Sequence, residues 1–195
     1  MIKFLISWLK PALSAGILVF ILYSTGLLSD VSAFAQRAVL QTGLLNATAP
    51  TAKPKTDFDF GFTVKDLKGN KVSFEQYKGK VVFLNLWATW CGPCKAEMPG
   101  IQSLHDKLKD SNVAFVMLSI DRDQDLPKIE KYVEKNNFTF PVFQPAGYLT
   151  DQLNVPSIPT TFVISKAGKI VMKEVGTRNY DTKKILDFLT AEAAK

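Results

Sequence analysis

Histidine and cysteine are scarce in this chain of 195 residues: there is one histidine, His105, and there are two cysteines, Cys91 and Cys94. A structural zinc site wants four ligands drawn from Cys and His. Only three are present, and completing the set with a carboxylate matches structural zinc poorly. The lone histidine falls beside the apolar stripe of its predicted helix, which assigns it to packing. Positive charge is also scarce where a nucleic-acid face would need it. The net charge is +6, but residues 1–56 hold +4 of it, from Lys3, Lys10, Arg37, Lys53 and Lys55 against Asp30 alone. The remainder is nearly balanced at +2, so charge gives no support to phosphate binding by the folded part. Calcium fares no better. Asp121, Asp123 and Asp125 in "DRDQD" have calcium-loop spacing, but the sixth position is Leu126 where Gly is needed and the twelfth is Tyr132 where Glu is needed. The stretch reads instead as a strand-to-helix loop, with Asp125 capping a helix ahead of Pro127. No internal repeat is present.

One uncharged run is long. Residues 11–29, "PALSAGILVFILYSTGLLS", contain no charged side chain. As a helix they would span about 28 Å, close to the hydrocarbon thickness of a bilayer. Lys3 and Lys10 precede the run, which by the positive-inside rule leaves the N-terminus in the cytoplasm and sends the rest across. Trp8 and Tyr23 fall near its ends, at interfacial positions. The rival reading is a signal peptide cut near Ala35, because "AFA" (residues 33–35) has the small-x-small pattern. The run exceeds the roughly 7–15 apolar residues of a signal h-region, which favours a retained anchor. Either reading exports the remainder of the chain. We therefore expect a transmembrane signal-anchor at 1–29, a semi-extended linker at 30–56 built on "QTGLLNATAPTAKPKT", and a folded domain at 57–195.

The folded part alternates strands and helices. "FDFGFTV" puts Phe58, Phe60, Phe62 and Val64 on one face of a strand, and "KGN" returns the chain through "KVSF" as a hairpin. Residues 80–88, "KVVFLNLWA", form a near-continuous apolar run, as in a strand covered on both faces. A helix should start at the cysteines, with Met98, Ile101, Leu104 and Leu108 at helical spacing and Pro99 kinking or dividing it. A buried strand at 113–120, a helix at 126–136 with Ile129 and Val133 inward, and a short strand at 139–143 come next. After a helical turn near 149–153, "TTFVI" and "KIVMKEV" pair across "SKAG". A last helix at 181–191 buries Ile185, Leu186 and Leu189 behind an Asp181 cap. The sum is an α/β fold with a central mixed sheet flanked by helices.

Cys91 and Cys94 are separated by Gly92-Pro93 at a strand-to-helix turn. A purely structural disulfide there closes too short a loop to remove much chain entropy, in a domain large enough to hold a core. A redox role has positive support. A helix N-terminus presents unpaired N–H groups and the positive end of the dipole, which favour a thiolate at Cys91. Cys94, one turn on, lies on the same side, is more deeply placed, and can attack a mixed disulfide. Gly92 permits close backbone approach, Pro93 stiffens the turn, and Trp90 offers a flat apolar surface beside the nucleophile. This chemistry calls for no cofactor and no metal.

At these residues the sequence resembles the thioredoxin superfamily, whose "WCGPC" motif it carries unchanged. "SIPTTFVI" places Pro159 just before a strand, where the superfamily has a cis-proline facing the cysteines. Within the superfamily the chain is similar to the membrane-anchored TlpA/ResA-like branch. Asn85 stands where thioredoxin has a buried Asp, and "CKAEMP" supplies the Glu97 and Pro99 of that branch. An insertion, "DLPKIEKYVEKNNFTFPVF", separates two core strands, so the resemblance implies a thioredoxin fold with an N-terminal β-hairpin and a βα-type insertion. Glu97 reads equally as a tuning carboxylate or as a solvated helix side chain, and Asn85 as a satisfied amide in the sheet. A peroxiredoxin reading would want Thr or Ser where Ala88 stands.

The resemblance implies a tethered thiol-disulfide oxidoreductase on the periplasmic side of a bacterial inner membrane, acting mainly as a reductase. Its substrates would be disulfide-containing proteins, cytochrome c apoproteins among them, and a DsbD- or CcdA-type membrane protein would donate electrons. Gly92-Pro93 supplies no charged or imidazole group to stabilise the thiolate as strongly as in an oxidant of the DsbA type, and Lys95, the nearest cation, is expected to face solvent. The alternatives are a DsbA-like oxidant or isomerase, and a non-catalytic binding module using Trp90 and Pro159.

Overall fold

The computed structural model describes residue 11 and residues 13–22, 27–49 and 56–195. Lys3, Trp8, Lys10 and Tyr23, and with them much of the expected anchor, lie outside the described residues. Two helices come first, α1 (Leu13–Leu22) and α2 (Leu27–Gln41). Among the described residues no single helix is long and apolar enough to cross a membrane; α1 and α2 meet that criterion only as a pair, bent by 86°.

The folded domain then runs β1 (Thr63–Asp66), β2 (Lys71–Ser73), β3 (Val81–Trp87), α3 (Gly92–Leu108), β4 (Val113–Ser119), α4 (Leu126–Lys135), β5 (Val142–Pro145), β6 (Thr160–Ile164), β7 (Ile170–Val175) and α5 (Lys183–Ala194). Seven strands form one sheet in the order β2-β1-β5-β4-β3-β6-β7. β3, β4 and β5 are parallel and the other pairings antiparallel, so the sheet is mixed, as the alternation of elements predicts.

β3 is the central fact of the core. All seven of its residues are buried, and its pleat divides them between two faces. Val81, Phe83 and Trp87 join Met98, Ile101 and Leu104 of α3, with Ile185 and Leu189 of α5 in the same cluster. Val82, Leu84 and Leu86 face the other way, onto Phe58, Phe60, Phe62, Phe74 and Tyr77. The N-terminal phenylalanines thus share one face, as their alternation predicts. Ladder pairing begins only at Thr63, because upstream amides find other acceptors: Phe58 N donates to Gly168 O (2.8 Å) and Phe62 N to Phe60 O (2.8 Å).

Several local expectations are corrected. Pro99 neither divides α3 nor leaves its missing N–H unanswered. The carbonyl it cannot reach, Lys95 O, accepts instead from Arg37 Nη2 of α2 at 3.1 Å. Residues 30–41 are therefore not a semi-extended tether but part of a helix docked on α3. Its inner residues Ala33 and Leu40 pack on Ala96, and the chain beyond it is stitched down by Ala47 N to Asn179 O (3.0 Å) and Asn179 N to Leu45 O (2.8 Å). β5 starts later than expected, at Val142, because Pro141 has no N–H and enters the sheet only as an acceptor for Met117 N. α5 is capped by Thr182, whose Oγ1 accepts from Ile185 N, while Asp181 pairs with Lys107. Asp125 does stand at the N-cap of α4, but its carboxylate bonds Lys128 (2.6 Å) and caps no amide.

Candidate active site

The turn after β3 hands the chain directly into α3. Cys91 is the N-cap residue, with extended backbone (φ −86°, ψ 101°), and its Sγ accepts a hydrogen bond from Cys94 N at 3.1 Å. Pro93 sits in the first helical turn, where a missing N–H costs nothing. The two sulfurs are bonded, with the Cα atoms 5.3 Å apart. Cys94 is sealed, whereas Cys91 keeps 5% of its surface, beside a Trp90 that is 63% exposed. The loop before β6 closes the other side. The Ile158–Pro159 bond is cis, Pro159 is buried, and Ile158 O lies 3.9 Å from Cys91 Sγ. That loop is pinned by Gly176 N, which donates to Pro159 O (2.8 Å) from a positive φ of 84° that only glycine adopts freely.

Asp121 braces the cysteine turn from beneath. Its carboxylate accepts from Thr89 N (2.8 Å), Thr89 Oγ1 (2.7 Å) and Ser119 Oγ (2.7 Å). The acidic residue that opened the false calcium pattern thus holds the end of strand β4 to the active-site turn. His105 packs edge-on against Phe115, with ring centroids 5.1 Å apart.

One turn into α3 lies a buried polar cluster. Asn85 shares the pleat of Phe83 and Trp87 and so points at α3; its Nδ2 donates to Glu97 Oε1 (2.8 Å) and to Thr161 Oγ1 (2.8 Å), the residue opposite it on β6. Glu97 Oε2 accepts from Arg178 N at 3.1 Å. Glu97 is 2% exposed, which removes the solvated-face reading. Burial pushes its carboxyl up to about 8 in spite of the donors from Arg178 and Asn85, so it is predominantly protonated at neutral pH. Tyr180, beside it, is raised well above the ordinary tyrosine range by burial and by Glu97. Asn85 Oδ1 has no hydrogen-bond partner among the described residues, so the amide is only half satisfied. A cavity of about 330 Å³, lined by Arg37, Pro99, Gly100, Arg178 and Asp181, reaches Glu97 from the α2 side. A buried acid with a side route to the surface can take up or release a proton in a helix that carries two thiols.

Lys95 departs from expectation. It is buried, with Nζ bonded to Asp30 Oδ1 (2.8 Å) and Ser29 Oγ (2.7 Å), both from α2. The cysteines, Trp90, Gly92, Pro93 and Pro159 are brought together at the start of α3, while Asn85 and Glu97 lie one turn further in. Sequence reasoning missed Thr161, Arg178, Tyr180 and Asp121. An Asn in an otherwise apolar buried strand signals that polar partners must face it, but which ones depends on the β3–β6 register, which sets Thr161 opposite it.

The AhpC/TSA family model matches residues 59–173. Among curated relatives the chain is similar to "Thiol-disulfide oxidoreductase ResA" of Bacillus cereus, 39% identical over 116 residues that make up 59% of this chain and 66% of that protein. It therefore spans just under two thirds of that relative's length. It is also similar to "Thioredoxin-like protein YneN" of Bacillus subtilis (strain 168), at 33% identity over 60% of this chain and 68% of that one. Among solved structures it resembles StoA from Bacillus subtilis (TM-score 0.54, 27% identity, 65% of this chain and 94% of that one). It also resembles a putative thiol:disulfide interchange protein DsbE from Chlorobium tepidum (TM-score 0.60, 26% identity, 71% and 98%).

Proposed function

The chain belongs to the AhpC/TSA family, with a thioredoxin-like fold, and on that footing we propose that it is a membrane-tethered thiol-disulfide oxidoreductase that reduces disulfides of extracytoplasmic proteins. One observation carries the reading: Cys91 Sγ sits at the N-cap of α3 and accepts Cys94 N, and Cys91 is the more accessible residue of a pair whose partner is sealed. In the dithiol form the Cys91 thiolate attacks one sulfur of the substrate disulfide. That bond breaks, and the other substrate sulfur leaves as thiolate. Cys94, deprotonated, then attacks Cys91 Sγ and releases the second substrate thiolate. The substrate has gained two electrons, and Cys91–Cys94 is the disulfide seen in the structure. Peroxide chemistry is less well supported, because the position three before Cys91 is the buried, apolar Ala88 and the nearby Thr89 hydroxyl is committed to Asp121.

The surroundings of the thiolate support the reducing direction. The Lys95 ammonium is tied to Asp30, so it is not free to hold Cys91 strongly ionised, and heavy thiolate stabilisation is what makes an oxidant of the DsbA kind. A reductant outside the cytoplasm needs electrons from within; in this reading a DsbD- or CcdA-type membrane protein donates them, and cytochrome c apoproteins are substrates of the right chemistry. The segment ahead of α2 serves as a single-pass anchor in the bacterial inner membrane, ending short of the expected residue 29 because Ser29 and Asp30 dock on Lys95, with residues 57–195 as the catalytic domain outside it. Retention of the anchor is favoured over cleavage near Ala35, since such a cut would fall inside docked α2 and strip Asp30 from the buried Lys95. Thiol alkylation of the protein in its own cells tests the direction: Cys91 and Cys94 should be found mostly reduced at steady state. A mostly oxidised pair would make the protein an oxidant.

A further inference from the structure

α2 has two faces of opposite character. Ser29, Asp30, Ser32, Ala33, Arg37 and Leu40 turn toward the domain, and they include every charged side chain of the helix. Ser32 abuts the cysteine turn itself, since a Cβ added at Gly92 would meet Ser32 Oγ at 1.9 Å. The opposite arc holds Leu27, Leu28, Val31, Phe34, Ala35, Ala38 and Val39, all exposed, with Phe34 at 77%. At 100° per residue these seven fall within one continuous stripe that contains no polar side chain. An apolar stripe of this extent, exposed beside an active site, marks an interaction surface.

We propose that this stripe rests in a lipid bilayer surface, so that α2 is an interfacial helix clamped between the membrane and the active-site helix. The inference rests on the membrane-tethered reading and adds to it an orientation. Lipid is the occupant for two reasons. α2 follows α1 after four uncharged residues, and the described residues of α1, Leu13–Leu22, are uncharged and expose Leu13, Leu18, Val19 and Phe20. In addition, α2 keeps its polar groups off the stripe, leaving none there for a polar protein partner. Interfacial helices bury their apolar face at the headgroup–acyl boundary. Cys91 then stands about one helix diameter, roughly 10–12 Å, from the membrane surface. The cavity of about 740 Å³ beside Trp90 is walled by Leu28 and Ser32 of α2 on one side and by Lys131 and Tyr132 of α4 on the other. In this orientation the disulfides that reach Cys91 are those presented close to the membrane, in membrane-proximal segments of exported or anchored proteins.

Spin labelling of the full chain in phosphatidylethanolamine–phosphatidylglycerol vesicles tests this. With Cys91→Ser and Cys94→Ser removing the native thiols, single labels are placed through Leu18→Cys, Leu27→Cys, Phe34→Cys, Val39→Cys and Glu130→Cys. All five labelled positions are exposed, so the labels themselves do not disturb the core. Oxygen-over-nickel accessibility should be several-fold higher at 27, 34 and 39 than at 130, and equal depths at 27 and 39 would place α2 in the plane. A helix crossing the bilayer would separate those two by about 18 Å, which overturns the in-plane claim. Water accessibility at 34 with lipid accessibility at 18 would overturn the proposal and leave the anchor standing. Water accessibility at both would remove the anchor reading and the proposal with it. Dipolar broadening between labels at 34 would seat a second copy on the stripe instead of lipid.

Discussion

Cys94→Ser is expected to accumulate covalent, reductant-sensitive adducts with substrate proteins, joined through Cys91. The variant keeps the accessible sulfur and the helix N-terminus that activates it, and loses the internal thiol that ends the mixed disulfide. The N–H that stabilises Cys91 belongs to the backbone of residue 94, so the substitution leaves it in place. Cys91→Ser should trap almost nothing, because the thiol it retains is sealed against partners. The contrast is close to all-or-none on a non-reducing gel, and mass spectrometry of the adducts names the substrate. Adducts on Cys91→Ser alone would reverse the two roles.

The second large effect concerns Glu97. Its carboxyl is raised from an ordinary 4.5 to about 8 by burial. The folded state therefore binds a proton more tightly than the unfolded chain. The stability this contributes is fully present below about 4.5 and is lost as pH rises through about 8. The full span corresponds to a loss on the order of 5 kcal/mol. Glu97→Gln replaces the protonated acid with a neutral group of nearly the same shape. It should unfold at a denaturant midpoint that is nearly flat between pH 5 and 8, converting a wild-type deficit at pH 8 into a relative gain. The same variant should alter the pH dependence of Cys91 alkylation if the carboxyl exchanges protons with the thiols. A wild-type slope unchanged in Glu97→Gln would show that another group titrates.

Much of the domain is legible because local pattern and tertiary role agree. The alternation of Phe58, Phe60 and Phe62, the unbroken apolar run of β3 and the Gly92-Pro93 turn each specify their surroundings within a few residues. What escapes the sequence depends on partners far along the chain. Asp30 and Lys95 are 65 residues apart, and Glu97 and Arg178 are 81 apart. Nothing local distinguishes Lys95 from a solvated lysine, nor Glu97 from a surface carboxylate. α2 is hidden for the same reason: its helix is fixed by docking, and its polar residues read as linker composition until α3 is set beside them. Pro99 held the one local clue, since a proline inside a helix frees a carbonyl that must find a donor. Arg37 is that donor.

The central claim is that the chain performs dithiol–disulfide exchange through Cys91, and catalytic turnover tests it most directly. The purified protein, supplied with dithiothreitol, should reduce a protein disulfide such as insulin's well above background. Cys91→Ser should return the rate to background while leaving folding intact. Equal turnover by wild type and Cys91→Ser, or none by either with substrate protein still bound at the Trp90–Pro159 surface, would make this a thioredoxin-fold binding module whose cysteines take no part.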